Sequence, residues 1–535
     1  MIFASFNIAL TVIIALTSAL PSQHNRRSVP GVGDQPEVVV RGRLEEERRQ
    51  LNGETNLGAE CINFSQPKMG LFKLTGRDSA KCNDGTDAGY YLLRRPSSRK
   101  WVIYLQGGWY CADEESCKLR MAQIPSLTGS ASWRNCKTGD GIISTSSTVN
   151  PHLYDANMIY IPYCSSDVWS GTVRNRILGD MAFSFMGSAI VEQVVRRLIH
   201  NHGMLEATSV VMAGSSAGGT GVLLNIDRVQ RVLTSAEIDV RVRGVVDSAW
   251  YLLRPDMEND NYCRGVTACS PVAMLKRGVH LWRPNMPPGC LNQQKSLISM
   301  NSPRSSMRNK SWKCFFGHVV YPHIKADVFV VQMLFDEVQF LSDRVSVWQF
   351  PGPITQLQSY IYKLYRDVKA SLIDVGGVFA SSCVGHAILT SSDWSEVAIS
   401  HVRLPDAIQC WELRHGGTSE QPTNNRPEAQ TRPDFYDTIN ETSDVIMPEG
   451  SQMYQEYYYE EAHLDPDTCQ DKVIDPCSLP HCNPSCPPLY HPNSYREINA
   501  VQLNRDYLGI DISSMAGQLN MSVNELLRMM SDVYD

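Results

Sequence analysis

A short apolar run, Ala207 to Ala213, leads into Gly214-Ser215-Ser216-Ala217-Gly218 and then into Thr220-Gly221-Val222-Leu223-Leu224. Strand, sharp turn and helix in that order demand a sheet whose strands feed helices, and G-x-S-x-G in this setting is the elbow that carries a nucleophilic serine. Glycines two residues either side of Ser216 let the backbone turn without Cβ clashes, so the hydroxyl stands at a helix N-terminus. Ser215 does not fit the frame, because Ala213 and Ala217 flank it at those offsets. A glycine turn that serves packing alone is the bland alternative, and the flanking pattern argues against it.

Similar apolar runs recur along the chain at Trp101–Leu105, Met158–Ile161, Gly244–Val246 and Val328–Phe335. Runs this short, separated by helical patterns, are expected as buried and mostly parallel strands. Ile190, Val191, Val194, Val195, Leu198 and Ile199 repeat at helical spacing and make one stripe to lay on a sheet. The expected fold class is therefore α/β, an α/β-hydrolase-like doubly wound sheet stapled by disulfides.

The ends of the chain point to the secretory pathway. Ile8 to Leu16 is apolar and Thr17-Ser18-Ala19 offers small residues for cleavage, so residues 1–19 read as a signal peptide, with an N-terminal anchor as the alternative. Sixteen cysteines after such a leader read as bridges. Glycosylation sequons begin at Asn63, Asn309, Asn440 and Asn520. The expected destination is extracellular, with no transmembrane segment in the mature protein. A net charge of −7 argues against nucleic acid as a partner. The cluster Arg94, Arg95, Arg99 and Lys100 is either a solvated loop or a contact for a sulfated polysaccharide such as heparan sulfate on a glypican.

Residues 20–60 are polar, without apolar period, and read as a disordered pro-region or spacer. A hydrolase domain is expected over 61–416, a disordered insert over 417–468, and a Cys-rich, helical part over 469–535 in which Asn499 to Met530 reads as amphipathic helix. The insert holds Tyr454, Tyr457, Tyr458 and Tyr459 among glutamates, either a sulfation or basic-partner segment or an inert one.

A serine hydroxyl needs an imidazole to take its proton and a carboxylate to hold that imidazole in the right tautomer. The order for this fold is Ser, acid, His. Asp336 closes the run Val328–Phe335 and so falls at a strand's carboxyl edge, where chemistry collects in open α/β sheets. Asp247, after Gly244–Val246, is its rival, with loop hydrogen bonding as its other role. Among later histidines, His386 sits in a loop between Cys383 and Ile388, whereas His401 has a strand-like setting and His415 opens the insert. The expected triad is Ser216, Asp336 and His386. Gly107-Gly108 directly after the strand ending at Leu105 suits an oxyanion hole made by the N–H groups of Gly108, Trp109 and Ala217. No cofactor and no metal is required.

Gln106 to Cys111, Ile161 to Gly171, Ala213 to Leu224, Cys314 to Gly317, Leu334 to Glu337 and His481 to Pro487 together resemble the Notum carboxylesterases, the animal secreted branch of the pectin acetylesterase family. The likeness covers residues 61–416 and resumes from 469. It implies the same triad and removal of the palmitoleate ester from a serine of lipidated Wnt proteins, which inhibits Wnt signalling. It also implies an acyl pocket of Trp109, Tyr110, Thr220, Tyr251, Phe315, Phe316, Val338 and Ile388, with Tyr251 and Val338 where the family pattern has Phe and Ala.

Local spacing suggests bridges Cys111–Cys117 and Cys263–Cys269, with Cys290–Cys314 at longer range, and zinc on Cys477, His481, Cys482 and Cys486 is the alternative for the tail cluster. Cys61 and Cys136 fall outside the family pattern and are expected to pair with each other. Three functions compete: a lipid esterase, a polysaccharide O-acetylesterase like the plant members of the family, and a dead hydrolase used for binding. The last would lack a triad residue, and none is lacking.

Overall fold

A computed structural model of the chain describes residues 54–58, 61, 67–253, 270–296, 310–348, 350, 352–415, 469–518 and 521–526. The leader, the asparagines of all the sequons, Cys263, Cys269, the insert 417–468 with its tyrosines, and most of the spacer lie outside these residues.

Strands β1 (Glu54–Asn56), β2 (Met69–Leu74), β3 (Gly89–Leu93), β4 (Lys100–Leu105), β5 (Cys136–Lys137), β6 (Asn157–Ile161), β9 (Ser209–Ser215), β10 (Val242–Asp247), β11 (Val328–Asp336), β12 (Gly377–Gly385) and β15 (Lys472–Ile474) form one sheet. A hairpin, β7 (Val173–Leu178) with β8 (Met181–Phe185), and a small pair, β13 (Ala398–Ile399) with β14 (Val402–Arg403), stand apart from it. The order is β1-β2-β3-β6-β4-β9-β10-β11-β12-β15, with β5 on β2. From β6 to β15 every pairing is parallel, while β1, β2 and β3 make an antiparallel edge. Glu54–Asn56, inside the segment read as spacer, is thus an edge strand, and Glu54 accepts a hydrogen bond from the Tyr90 hydroxyl.

Alternation of side chains explains why the central strands read as unbroken apolar runs. Trp101, Ile103 and Leu105 of β4 face one core, and Val102 and Tyr104 face the other. Both faces are covered, so neither set meets water. The larger core lies under the helices Gly187–His202, Ala217–Ser235 and Ile354–Ser371, and the smaller under Leu404–His415. The stripe from Ile190 to Ile199 is buried as its period requires, and its helix stops where Gly203 adopts φ 77°.

Disulfides join Cys61–Cys136, Cys82–Cys164, Cys111–Cys117, Cys290–Cys314, Cys383–Cys486, Cys410–Cys469 and Cys477–Cys482. Bridging removes the thiolates a zinc site would need at Cys477, Cys482 and Cys486, and the Nδ1 of His481 instead accepts from the Val384 N–H at 3.2 Å. The tail does not form the single amphipathic helix expected over Asn499 to Met530. It is broken into Ala500–Gln502, a π-helical turn Leu503–Tyr507 and Ile512–Gln518, because Gly509 leaves the helical region (φ 61°) and Asp511 caps a fresh start through the Ser514 N–H at 2.8 Å.

Candidate active site

The parallel strands all end on one edge, and the candidate residues stand there: Gly108 and Trp109 beyond β4, Ser216 beyond β9, Asp247 at the end of β10, Asp336 at the end of β11 and His386 beyond β12. Ser216 has φ 57° and ψ −125°, a conformation that a non-glycine residue holds only when its surroundings enforce it. Its N–H is fixed by the Asp247 carbonyl at 2.8 Å, and the helix Ala217–Ser235 begins directly after it. Gly218 is needed for this turn, since a Cβ there would stand 2.1 Å from the Leu105 carbonyl oxygen.

Asp336 is buried and does two things at once. Its Oδ1 caps the helix Glu337–Ser342 by accepting from the Val338 N–H at 2.8 Å and the Gln339 N–H at 3.3 Å. Both of its oxygens lie 3.0 Å from the Nδ1 of His386. An imidazole that gives Nδ1 to a carboxylate presents Nε2 as the free base, which is the tautomer a serine nucleophile requires. Burial pulls the His386 pKa down, but the charge and hydrogen bond of Asp336, with Asp247 and Glu337 nearby, outweigh it, so it lies above the ordinary 6.5.

Tyr251 stands between this pair and the serine. Its ring stacks on the His386 imidazole at 6.4 Å between centroids, and its hydroxyl lies near that of Ser216. No hydrogen bond joins Ser216 to His386 in this arrangement; such contacts commonly tighten only when substrate is bound.

Asp247, weighed in sequence as a second acid, does not touch His386. Fully buried, it accepts from the Ser215 hydroxyl at 2.6 Å, the Ser248 hydroxyl at 2.9 Å, and the N–H groups of Ile388 at 2.8 Å and Leu389 at 3.1 Å. Ser248 in turn accepts from the Ala387 N–H at 2.9 Å. The Tyr104 hydroxyl extends the web to Ser215 at 2.9 Å. Asp247 therefore ties the residue before Ser216 to the loop that follows His386. From the other side, Cys383 is bridged to Cys486, and Asp475 accepts from the Ser382 hydroxyl at 3.0 Å, so the C-terminal part braces the strand β12 that leads into His386.

A cavity opens beside Ser216, enclosing about 610 Å³ of space not filled by atoms, with open solvent at its mouth included. Ser216, Ala217, Trp109, Tyr110, Thr220, Tyr251, Phe315 and Phe316 line it, together with Val168, Leu252, Pro271, Val272, Leu275, Gln339 and Ser342. Val338 and Ile388 are not in this lining. Val338 stands half-buried on the helix that Asp336 caps, and Ile388 packs into the smaller core on the opposite face of the sheet. The helix Pro271–Trp282 supplies much of the wall that sequence reasoning missed, although the apolar spacing of Val272, Leu275 and Val279 was there to be read. His318 lies alongside, kept neutral with its pKa lowered to about 4 by burial.

The sequence profile described as Pectinacetylesterase matches residues 63–487. The chain belongs to that family. Among curated relatives, palmitoleoyl-protein carboxylesterase notum1a of Danio rerio is 36% identical over 458 residues, covering 85% of this chain and 79% of its own. Palmitoleoyl-protein carboxylesterase NOTUM of Homo sapiens is 34% identical over 455 residues, covering 85% and 80%. The Drosophila melanogaster protein of the same name is 37% identical over 339 residues, covering 62% of this chain and 47% of its own. The pectinacetylesterase match takes in Cys469–Cys486 as well as the main sheet, in keeping with β15 completing it.

Proposed function

We propose that the protein is a secreted serine carboxylesterase that removes palmitoleate from the serine of lipidated Wnt proteins, with Ser216 as nucleophile, His386 as base and Asp336 holding the imidazole. Ser216 attacks the ester carbonyl as Nε2 of His386 takes its proton. The N–H groups of Trp109 and Ala217, with Gly108, then meet the oxygen that gains charge. The protonated imidazole gives its proton to the leaving serine oxygen of the substrate, and water repeats the cycle to release the fatty acid.

The observation that carries this reading is the aromatic and aliphatic lining of the cavity at Ser216. A fatty chain gains about 0.8 kcal/mol per buried CH₂ there, whereas an acetyl group would use little of it. The family description itself favours a second reading, an O-acetylesterase acting on an extracellular polysaccharide. Hydrolysis of esters from acetyl to sixteen carbons by the purified protein separates the two. Rates that rise with chain length support the lipid reading, and activity confined to acetyl esters overturns it.

Secretion through a leader at residues 1–19 completes this reading; no helix among the described residues is long and apolar enough to cross a membrane. Contact with heparan sulfate or a glypican through Arg94, Arg95, Arg99 and Lys100 has weaker support. Arg94 is engaged by Asn157 at 2.5 Å, Arg99 faces Glu206 at 3.9 Å and Lys100 faces Asp155 at 3.4 Å.

A further inference from the structure

Arg120 sits on the helix Glu114–Gln123, just after the Gly108-Trp109-Tyr110 segment, and is 4% exposed. Its guanidinium reaches back across the Cys111–Cys117 loop to donate to the Gly108 carbonyl, and its Nε donates to the Ser166 hydroxyl at 2.8 Å. Both partners are neutral oxygens, and its third neighbour is the ring of Tyr163 at 5.8 Å. Among the described residues no carboxylate pairs with it. A buried, unpaired guanidinium is costly and calls for a reason other than stability.

The reason lies in the peptide it grips. In a trans peptide the carbonyl and the following N–H point in opposite directions, so a donor that fixes the Gly108 carbonyl on one side fixes the Trp109 N–H on the other. That peptide has little intrinsic preference for its position. Gly108 is at φ 137°, where only glycine rests comfortably, and Trp109 is at φ 61°. Ser166, the second partner, lies in the segment that includes Val168, a wall of the acyl cavity, and its carbonyl accepts from the Cys111 N–H at 3.1 Å.

We propose that Arg120 is a positioning residue for ester hydrolysis: by holding the Gly108 carbonyl it turns the Trp109 N–H toward the substrate oxygen, and it keeps a positive charge one peptide away from the charge that develops there. This rests on the reading of Ser216 as nucleophile and of Trp109 as an oxyanion donor. Such a role acts on the carbonyl rather than on the acyl chain. Loss of an oxyanion donor lowers kcat by about 10²–10³-fold, and loosening one is expected to cost about 10–100-fold.

The test compares the full-length secreted protein with Arg120→Met and Arg120→Lys on p-nitrophenyl acetate and octanoate. Rates are expressed per site titrated to completion with a fluorophosphonate, which removes misfolded protein from the count. Arg120→Met is expected to lose about 10–100-fold in kcat by the same factor on both esters, with KM little changed. Arg120→Lys is expected to recover part of that loss, since an ammonium can still reach the carbonyl but cannot hold both oxygens. Unchanged kcat per titrated site, a loss confined to octanoate, or a loss wholly in KM overturns the proposal. Should Arg120→Met fail to be secreted, Arg120→Lys decides: reduced kcat at unchanged KM supports the proposal, and wild-type kcat contradicts it. Activity surviving in Ser216→Ala would instead remove the nucleophile reading, a separate failure.

Discussion

The two sides of Ser216 are built from opposite materials. Toward Asp247 and His386 lies a web of buried hydroxyls, carboxylates and backbone N–H groups joined by short hydrogen bonds. Toward Phe315, Phe316 and Leu275 lies a cavity walled mainly by apolar side chains. A hydrogen-bonded web fixes angles and protonation, because each buried polar atom left unmatched costs about 1–3 kcal/mol. An apolar wall fixes no angle; it contributes affinity in proportion to the area it covers. The difference teaches that rate and substrate choice are separable here. Changes on the polar side should lower turnover of every ester alike, and changes on the apolar side should alter dependence on chain length.

Asp336→Asn strikes the polar side hardest. Loss of the carboxylate lets the imidazole take the wrong tautomer, and kcat is expected to fall about 10⁴-fold for short and long esters equally. The pH dependence sharpens the point. As the proposed base, His386 must be neutral to act, and its pKa is raised above 6.5, so kcat/KM is expected to fall as pH drops through a value above 6.5. Without the Asp336 charge and hydrogen bond, burial is left to pull the pKa down, and the acid limb of the residual activity should move to lower pH. A limb that stays in place would show that Asp336 is not the group that tunes His386.

Asp247→Asn should have the next largest effect. An amide oxygen can stand in for Oδ2, which accepts from Ser215, Ile388 and Leu389, but the NH₂ that then replaces Oδ1 cannot accept from the Ser248 hydroxyl that anchors the Ala387 N–H, so the loop after His386 loosens while the cavity is untouched. A displacement of about 1 Å at the base can cost up to about 100-fold in kcat. Equal losses on acetyl and long-chain esters are expected in steady-state kinetics. A loss that grows with chain length would break the division between the two sides.

Tyr251 stands on the boundary, with its hydroxyl near Ser216 and its ring in the cavity lining. Tyr251→Phe removes a polar neighbour of the serine hydroxyl and the polar atom from an apolar wall. The expected result is a rise of a few-fold in kcat/KM, larger for long-chain than for acetyl esters, measured on the same ester series. A fall on every ester would instead assign the phenol a share in the polar machinery.

Much of this was legible in the chain. The central strands could be read because burial on both faces leaves them uniformly apolar, and the elbow because Gly214 and Gly218 flank Ser216 in a strand-turn-helix setting. Asp336 could be read from its place at the end of such a run. What lay hidden depends on strand order. Asp247 braces the elbow because β10 pairs with β9 so that Asp247 stands opposite Ser215, a register that no local pattern encodes. Arg120 looks like any arginine in the last turn of a polar helix until that helix is folded back over Gly108. The three-residue strand β15 is too short to carry a period, and a single glycine, Gly509, does not mark in sequence the break that its left-handed backbone makes in the tail.

The central claim is that Ser216 takes a fatty acyl group from a protein serine into the adjoining cavity. Rapid mixing of the purified enzyme with a peptide carrying serine-linked palmitoleate, acid quenching within the first turnover and peptide mass spectrometry test it directly. The account predicts a sixteen-carbon monounsaturated acyl adduct on Ser216, and no adduct in Ser216→Ala. An acyl group found on another residue, or peptide cleaved at the ester by Ser216→Ala as fast as by the wild type, would contradict it.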